Sequence, residues 1–225
     1  MSCFKPMPMN KIHSLTTYLL LVSLLLFRFE DTFSQHTGFK PIVNFPDFKA
    51  QFKLESSKIN SIVSDFAQEK VLTALTEKIK SEGKFLFKRN NKVRIEYQKP
   101  FSYLMMMNGE KMLVRDNQKD NRINVKSNKL FQQINRIMID CVQGTMLDSK
   151  DFTVKVFEDG NTFLLEMTPV SKALSQFFQT IVLLVEKKDY SAKSIEMREP
   201  NGDKTVITFI NKKLNAEIAD AVFAL

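Results

Sequence analysis

The sequence contains no tryptophan, two histidines, two cysteines, six glycines and seven prolines in 225 residues. Each scarcity excludes something. His13 falls in the N-terminal basic and apolar stretch and His36 just after it, so neither a histidine triad nor a histidine-rich metal site can be assembled from residues 37–225. Cys3 also lies in the N-terminal stretch, which leaves Cys141 alone and rules out an internal disulfide in the rest of the chain. Cys141 sits on the apolar side of a helical pattern, where a buried, inert thiol is expected rather than a nucleophile. Gly202-Asp203-Lys204-Thr205 resembles the end of a phosphate loop but lacks the upstream glycine and joins two strand-like runs, so it reads as a hairpin turn. No carboxylate pair suggests acid–base work, and no cofactor or metal motif is present.

Lys5 and Lys11 precede Tyr18–Phe27, an apolar run too short to span a bilayer, and Thr32-Phe33-Ser34-Gln35 supplies the small residue of a cleavage site. Residues 1–34 are therefore expected to be a removable secretory signal and residues 35–225 a single exported, soluble domain. The first cysteine is far from the cut, so no lipidated N-terminus is expected. The net charge is +8 and the pI about 9.4. In an exported chain this points to anionic membrane surfaces or acidic partners rather than nucleic acid, or simply to a solubilising surface.

What the sequence has in quantity is phenylalanine (20) and methionine (11), within a composition that is 44% hydrophobic. The stretch Gly83–Asp116 organises them. Phe85-Leu86-Phe87 runs into Lys88-Arg89, the Asn90-Asn91 pair offers a turn, and Val93–Tyr97 alternates apolar and charged residues. Phe101–Met107 follows the Lys99-Pro100 break, and Asn108-Gly109 turns the chain into Met112-Leu113-Val114. This is a four-strand antiparallel meander with one apolar face. Phe85, Phe87, Val93, Ile95, Tyr97, Met105, Met107 and Leu113 are its candidate inward residues, although Met105, Met106 and Met107 cover both parities.

Two amphipathic helices offer a cover. The first spans roughly 46–60, with Pro46 and Asp47 at its start and Phe45, Phe48, Phe52, Ile59 and Ile62 on one face. The second, 128–142, is capped by Ser127, ended by Gly144, and carries a stripe of Leu130, Phe131, Ile134, Ile137, Met138 and Cys141. Residues 35–45 read as an unstructured lead-in and Asn117–Lys126 as a polar turn. Further strands are expected at 61–72, 152–157, 163–167, 180–186, 194–199 and 205–209, with a short helix or irregular crossing at 171–178 and a final apolar edge at 214–225. The plan is α+β: about ten strands in one large, strongly curved antiparallel sheet with two helices. Its large, flexible apolar faces can either pack a solid core or close over a cavity suited to apolar ligands.

Taken in order, the signal, the helix, Ser61–Gln68, Gly83–Arg89, Val93–Tyr97, Pro100 and Asn108–Lys111 resemble the periplasmic outer-membrane lipoprotein carriers of Gram-negative bacteria, over roughly residues 45 to 223. The resemblance implies an unclosed β-barrel capped by lid helices, and no enzymatic activity. It implies an apolar cavity that shields lipoprotein acyl chains during periplasmic transfer from inner to outer membrane. It also implies a monomer that meets an ABC-type inner-membrane transporter and an outer-membrane acceptor. The alternatives are an envelope sensor or scaffold of the same fold, or a carrier of another lipid.

In that family an Arg following a Lys helps hold the lid shut, and Arg89 occupies that place. The central helix is the expected lid, with Arg89 hydrogen-bonded to its carbonyls. Three departures stand out: Asn90 replaces the usual Pro, Phe and Tyr replace Trp in the aromatic wall, and the sequence ends at Phe223-Ala224-Leu225 without a longer C-terminal hook.

Overall fold

The computed structural model describes residues 36–75, 77–116, 119–124 and 129–225, apart from the side chains of 123, 124, 129–132, 134, 135 and 138. The signal segment, the Ser127 cap, and the Leu130, Phe131, Ile134 and Met138 side chains lie outside that description. Strand β1 (Lys40–Pro41) precedes helix α1 (Phe45–Ser57). Six strands follow: β2 (Ser61–Val71), β3 (Lys78–Lys88), β4 (Lys92–Lys99), β5 (Tyr103–Asn108), β6 (Lys111–Asp116) and β7 (Lys119–Asn124). Helix α2 (Lys129–Gln143) then leads to β8 (Phe152–Glu158), β9 (Thr162–Pro169) and the short α3 (Lys172–Ser175). The last strands are β10 (Thr180–Glu186), β11 (Ala192–Arg198) and β12 (Lys204–Leu214). The strands form one antiparallel sheet in the order β1-β8-β9-β10-β11-β12-β2-β3-β4-β5-β6-β7, with β1 and β7 at its two edges, so the barrel is not closed.

The meander forms as its turn chemistry dictates. Asn90 and Asn91 both take positive φ (67° and 59°), which asparagine tolerates, in the tight turn that joins the paired Lys88 and Lys92. The next hairpin turns at Gly109-Glu110, with Gly109 at φ 62°, and the Gly109 N–H donates to the Asn91 carbonyl at 3.0 Å. Gly83 is where β3 bends: the β3–β4 register slips between Glu82 and Gly83. A Cβ at Gly83 would lie 2.1 Å from the Glu96 carbonyl oxygen and 2.9 Å from the Phe66 ring, so only glycine permits this approach.

Register fixes the faces. Ile62, Phe66 and Gln68 of β2 stand opposite Phe87, Gly83 and Ser81, and the same face continues through Val93, Ile95 and Tyr97 to Met107, Met105 and Tyr103. On the other side of β2 it continues through Ile207 and Phe209, then Ile195 and Met197, then Leu183 and Ile181. This inner face holds two large clusters. One packs Phe48 and Phe52 of α1 and Ile137 and Cys141 of α2 on β8–β11; the other gathers Ile62, Phe66, Phe85, Phe87, Val93, Met107 and Met112 on β2–β6.

Several local readings of the sequence require correction. Helix α1 ends at Ser57, because the Lys58 N–H folds back to the Glu55 carbonyl; Ile59 and Ile62 therefore leave the helical stripe and join the β2–β6 cluster. Asn44, not a residue further on, caps the helix by accepting from the Asp47 N–H at 3.2 Å. Lys119–Asn124, read as a turn, is strand β7 hydrogen-bonded to β6; an edge strand with a charged sequence shows no apolar alternation. The lead-in contributes β1, paired with β8, and Phe39 packs on an outer patch of Phe157, Leu164 and Val182. Strand β12 runs on to Leu214 through the polar Asn211-Lys212-Lys213, where a bulge and a positive φ at Asn211 (54°) obscure the period.

The C-terminal segment is not an edge strand. It crosses the outer face of β3–β6 as a strap. The Lys88 ammonium donates to the Ile218 carbonyl at 2.7 Å, Arg94 to the Val222 carbonyl at 3.3 Å, and Asn108 to the Phe223 carbonyl at 3.2 Å. Phe223 is fully buried, and Leu225 packs on Leu104, Met106 and Leu113.

Candidate ligand cavity

Between the two inner clusters the sheet encloses a cavity of about 730 Å³, within the size range of small-molecule and lipid sites. Phe66, Phe85, Ile95, Tyr97, Tyr103 and Met105 form one wall, and Leu183, Ile195, Met197, Ile207 and Phe209 the other. Ile137, Cys141 and Val142 of α2 line it together with Phe177 and Phe178, which follow α3. Alternation on the pleated strands places these groups: Ile95 and Tyr97, Tyr103 and Met105, Ile195 and Met197, and Ile207 and Phe209 are each two residues apart on one strand. Helix α2 is held close to α1 at Gly144, whose φ is +71°. A Cβ there would lie 2.8 Å from the Ser56 side chain.

The residues expected to meet a ligand separate into groups. Phe85, Ile95, Tyr97, Met105 and Ile137 line the cavity. Phe87, Val93 and Met107 share the inner face but lie one pleat nearer the Asn90-Asn91 turn, each about 1% exposed and enclosed with Met112. Leu113 lies on the opposite face, under the C-terminal strap, because the inward residues of β6 are Met112 and Val114.

Among the described residues Arg89 lies outside the cavity, and its hydrogen bonds go to the end of α1 rather than to the central helix. Its Nε donates to the Ile59 carbonyl at 2.8 Å, and one terminal nitrogen donates to the Ser56 and Ser57 carbonyls at 2.9 and 3.0 Å. A guanidinium fork thus fastens the end of α1, where helix carbonyls lack intrahelical partners. The walls supplied by β10–β12 carry no motif. Their signal is the two-residue period of Ile195/Met197 and Ile207/Phe209, which shows a strand face without saying what it faces.

The titratable groups in the cavity are held neutral or paired. The Tyr97 hydroxyl donates to Gln68 Oε1 at 2.9 Å, and burial, with Tyr103 beside it, pushes its pKa up to about 12. The Cys141 thiol is likewise raised to about 12, by burial first and then by Asp140. It is protonated at neutral pH and a poor nucleophile. Lys212 donates to Ser191 Oγ at 2.7 Å, the Ala192 carbonyl at 2.8 Å and Glu186 at 2.9 Å, so its three donors have three acceptors. Among the described residues no group of histidine, cysteine and carboxylate side chains could hold a metal ion. What such walls do chemically is exclude water from an apolar guest.

The structure is thus an incomplete antiparallel barrel around an apolar chamber, with helices packed on the inner face of the sheet. The sequence model of the family described as outer membrane lipoprotein carrier protein LolA matches residues 57–225. The chain belongs to the LolA family. No match is found among functionally curated proteins.

Several solved structures are similar. A LolA superfamily protein from Nitrosomonas europaea is 12% identical, with 79% of this chain and 97% of that one covered and a TM-score of 0.42. Lipoprotein LppX from Mycobacterium tuberculosis is 11% identical, with coverages of 78% and 99% and a TM-score of 0.42. Pseudomonas aeruginosa MucB, solved in complex with MucA, is 10% identical, with coverages of 79% and 60% and a TM-score of 0.46. Among the described residues no helix is long and apolar enough to cross a membrane.

Proposed function

We propose that this chain is a periplasmic, non-enzymatic carrier that shields lipoprotein acyl chains in transit between inner and outer membrane. Residues 1–34 direct export and are removed, and residues 35–225 act as a monomer. The observation that carries this reading is the apolar cavity of about 730 Å³ inside a LolA-family fold. Each CH₂ exposed to water costs roughly 0.8 kcal/mol, so one long acyl chain in water costs on the order of 10 kcal/mol. A wall of Phe, Met, Leu and Ile removes most of that cost, and methionine adapts to chains of differing shape. The chain carries no nucleotide motif, so loading draws its energy from a partner. The partners are an ABC-type transporter in the inner membrane and an acceptor in the outer membrane.

Depletion in the source cell tests the assignment. Fractionation of the two membranes is expected to find lipoproteins stranded in the inner membrane. Normal sorting with an altered envelope stress response would instead assign the fold to a sensor.

A further inference from the structure

Apart from Lys212 with its saturated ammonium and Gln176 at the end of α3, the polar and charged side chains that enter the cavity wall collect where β2 ends and β12 begins. Gln68 and Lys70 project from β2 opposite Ile207 and Thr205, and Glu199 and Asn201 come from the β11–β12 turn. The rest of the lining is mostly hydrocarbon or aromatic. The rim is also built rigidly. The Glu199 N–H donates to the Asp203 carbonyl at 2.8 Å, and the Gly202 N–H donates to the Glu199 carbonyl at 3.0 Å. The Asp203 carboxylate accepts from the Thr73 N–H at 2.8 Å, from the Thr73 hydroxyl at 3.0 Å and from the Asn201 side chain at 3.0 Å. Two hairpin turns are thereby locked together beside the opening.

The rim offers donors on one side and an acceptor on the other. The Tyr97 hydroxyl occupies the Gln68 carboxamide oxygen, so Gln68 presents its NH₂ group. Lys70 Nζ stands 3.5 Å from Glu199, and each side chain is about one third exposed (35% and 34%). A loose pair of this kind, open to water, contributes little by itself and exchanges partners readily. We propose that this rim is a headgroup subsite for a neutral or zwitterionic amphiphile. Carbonyl or phosphodiester oxygens sit on Gln68 and Lys70, and an amide or ammonium N–H sits on Glu199. Such a head replaces each member of the Lys70–Glu199 pair with a group of like character and keeps the charge balanced. A purely anionic head would face Glu199 unpaired. This inference rests on the cavity taking the acyl chains. An acylated glyceryl-cysteinyl peptide and phosphatidylethanolamine both carry the required donor and acceptors.

The test uses diphenylhexatriene, an uncharged hydrocarbon fluorophore, as the cavity reporter. The competitors are dioctanoyl-glyceryl-cysteinyl peptide, dioctanoyl phosphatidylethanolamine and dioctanoyl phosphatidylglycerol. The first two are expected to displace the reporter at about fivefold lower concentration than phosphatidylglycerol, the ratio that about 1 kcal/mol of charge matching gives. Glu199→Gln is expected to erase that gap, each competitor being compared with the variant's own reporter affinity, and Lys70→Gln to weaken all three competitors. Whichever of the first two competes at lower concentration identifies the source of the head. No reporter binding by the wild-type chain would overturn the acyl cavity itself. Reporter binding with the same competitor ranking in wild type and Glu199→Gln would overturn the headgroup subsite alone.

Discussion

At the residue scale, Cys141 joins the burial of the cavity to a measurable chemistry. Its thiol lines the chamber, and burial pushes its pKa from 9.0 up to about 12, so at any pH below both values its thiolate fraction is lower by about three orders of magnitude. Alkylation by iodoacetamide at pH 8 is expected to be at least about a thousandfold slower in the folded protein than in urea. Loading the cavity with an acyl ligand should slow it further. Equal rates folded and unfolded would mean that the α2 stripe is not seated on the sheet. Sequence alone made the thiol inert because of its helical face, and the structure gives the reason as enclosure beside Ile137 and Val142. The same reasoning could not decide Leu113. Met112, Leu113 and Val114 are three apolar residues in succession, and both faces of β6 are covered, one by the core and one by the strap, so alternation carries no information there.

At the scale of elements, α1 and the C-terminal strap are each fastened by a few polar contacts. Arg89→Leu removes all the hydrogen bonds its guanidinium makes to the carbonyls at 56, 57 and 59. The expected cost is ~1–3 kcal/mol, since the acceptors remain close to solvent. Amide exchange in Phe45–Ser57 should accelerate while diphenylhexatriene still binds. Unchanged exchange would show that aromatic packing through Phe48 and Phe52 holds the helix without Arg89.

The strap carries a pH dependence. Lys88 and Lys92 hydrogen-bond and pair with Asp220 and lower its pKa to about 2 from 3.8. A carboxylate whose folded pKa is depressed contributes stability that is fully present above the unfolded value and is lost as pH falls through the folded one. The stability difference between wild type and Asp220→Asn, measured by urea unfolding, is therefore expected to be constant above about pH 5 and to shrink between pH 3.8 and 2. A difference that grows on acidification would contradict it.

The meander was legible in the sequence because its turns are chemically explicit at Asn90-Asn91 and Gly109. The strap and β7 were not, because what orders them is tertiary. Phe223 has a pocket only once β3–β6 exist, and β7 is a strand only because β6 presents an edge. The place of Arg89 after Lys88 is legible in the sequence, but its partner, the end of α1 rather than the central helix, is not. Which helix end lies beside the β3–β4 turn follows from α1 leading directly into β2, the neighbour of β3.

At the scale of the whole molecule, a carrier built on a single open sheet shelters acyl chains on one face and not on the other. Strand β12 offers a paired test. Phe209 lines the cavity, and its neighbour Ile210 points outward and is about half exposed. Photoreactive residues placed singly at 209 and 210 in the full chain, expressed in cells fed radiolabelled palmitate, sample both faces at one point of the fold. Labelled lipoprotein is expected to crosslink at 209, with only background at 210. Equal labelling at the two positions, or labelling at 210 alone, would contradict this expectation.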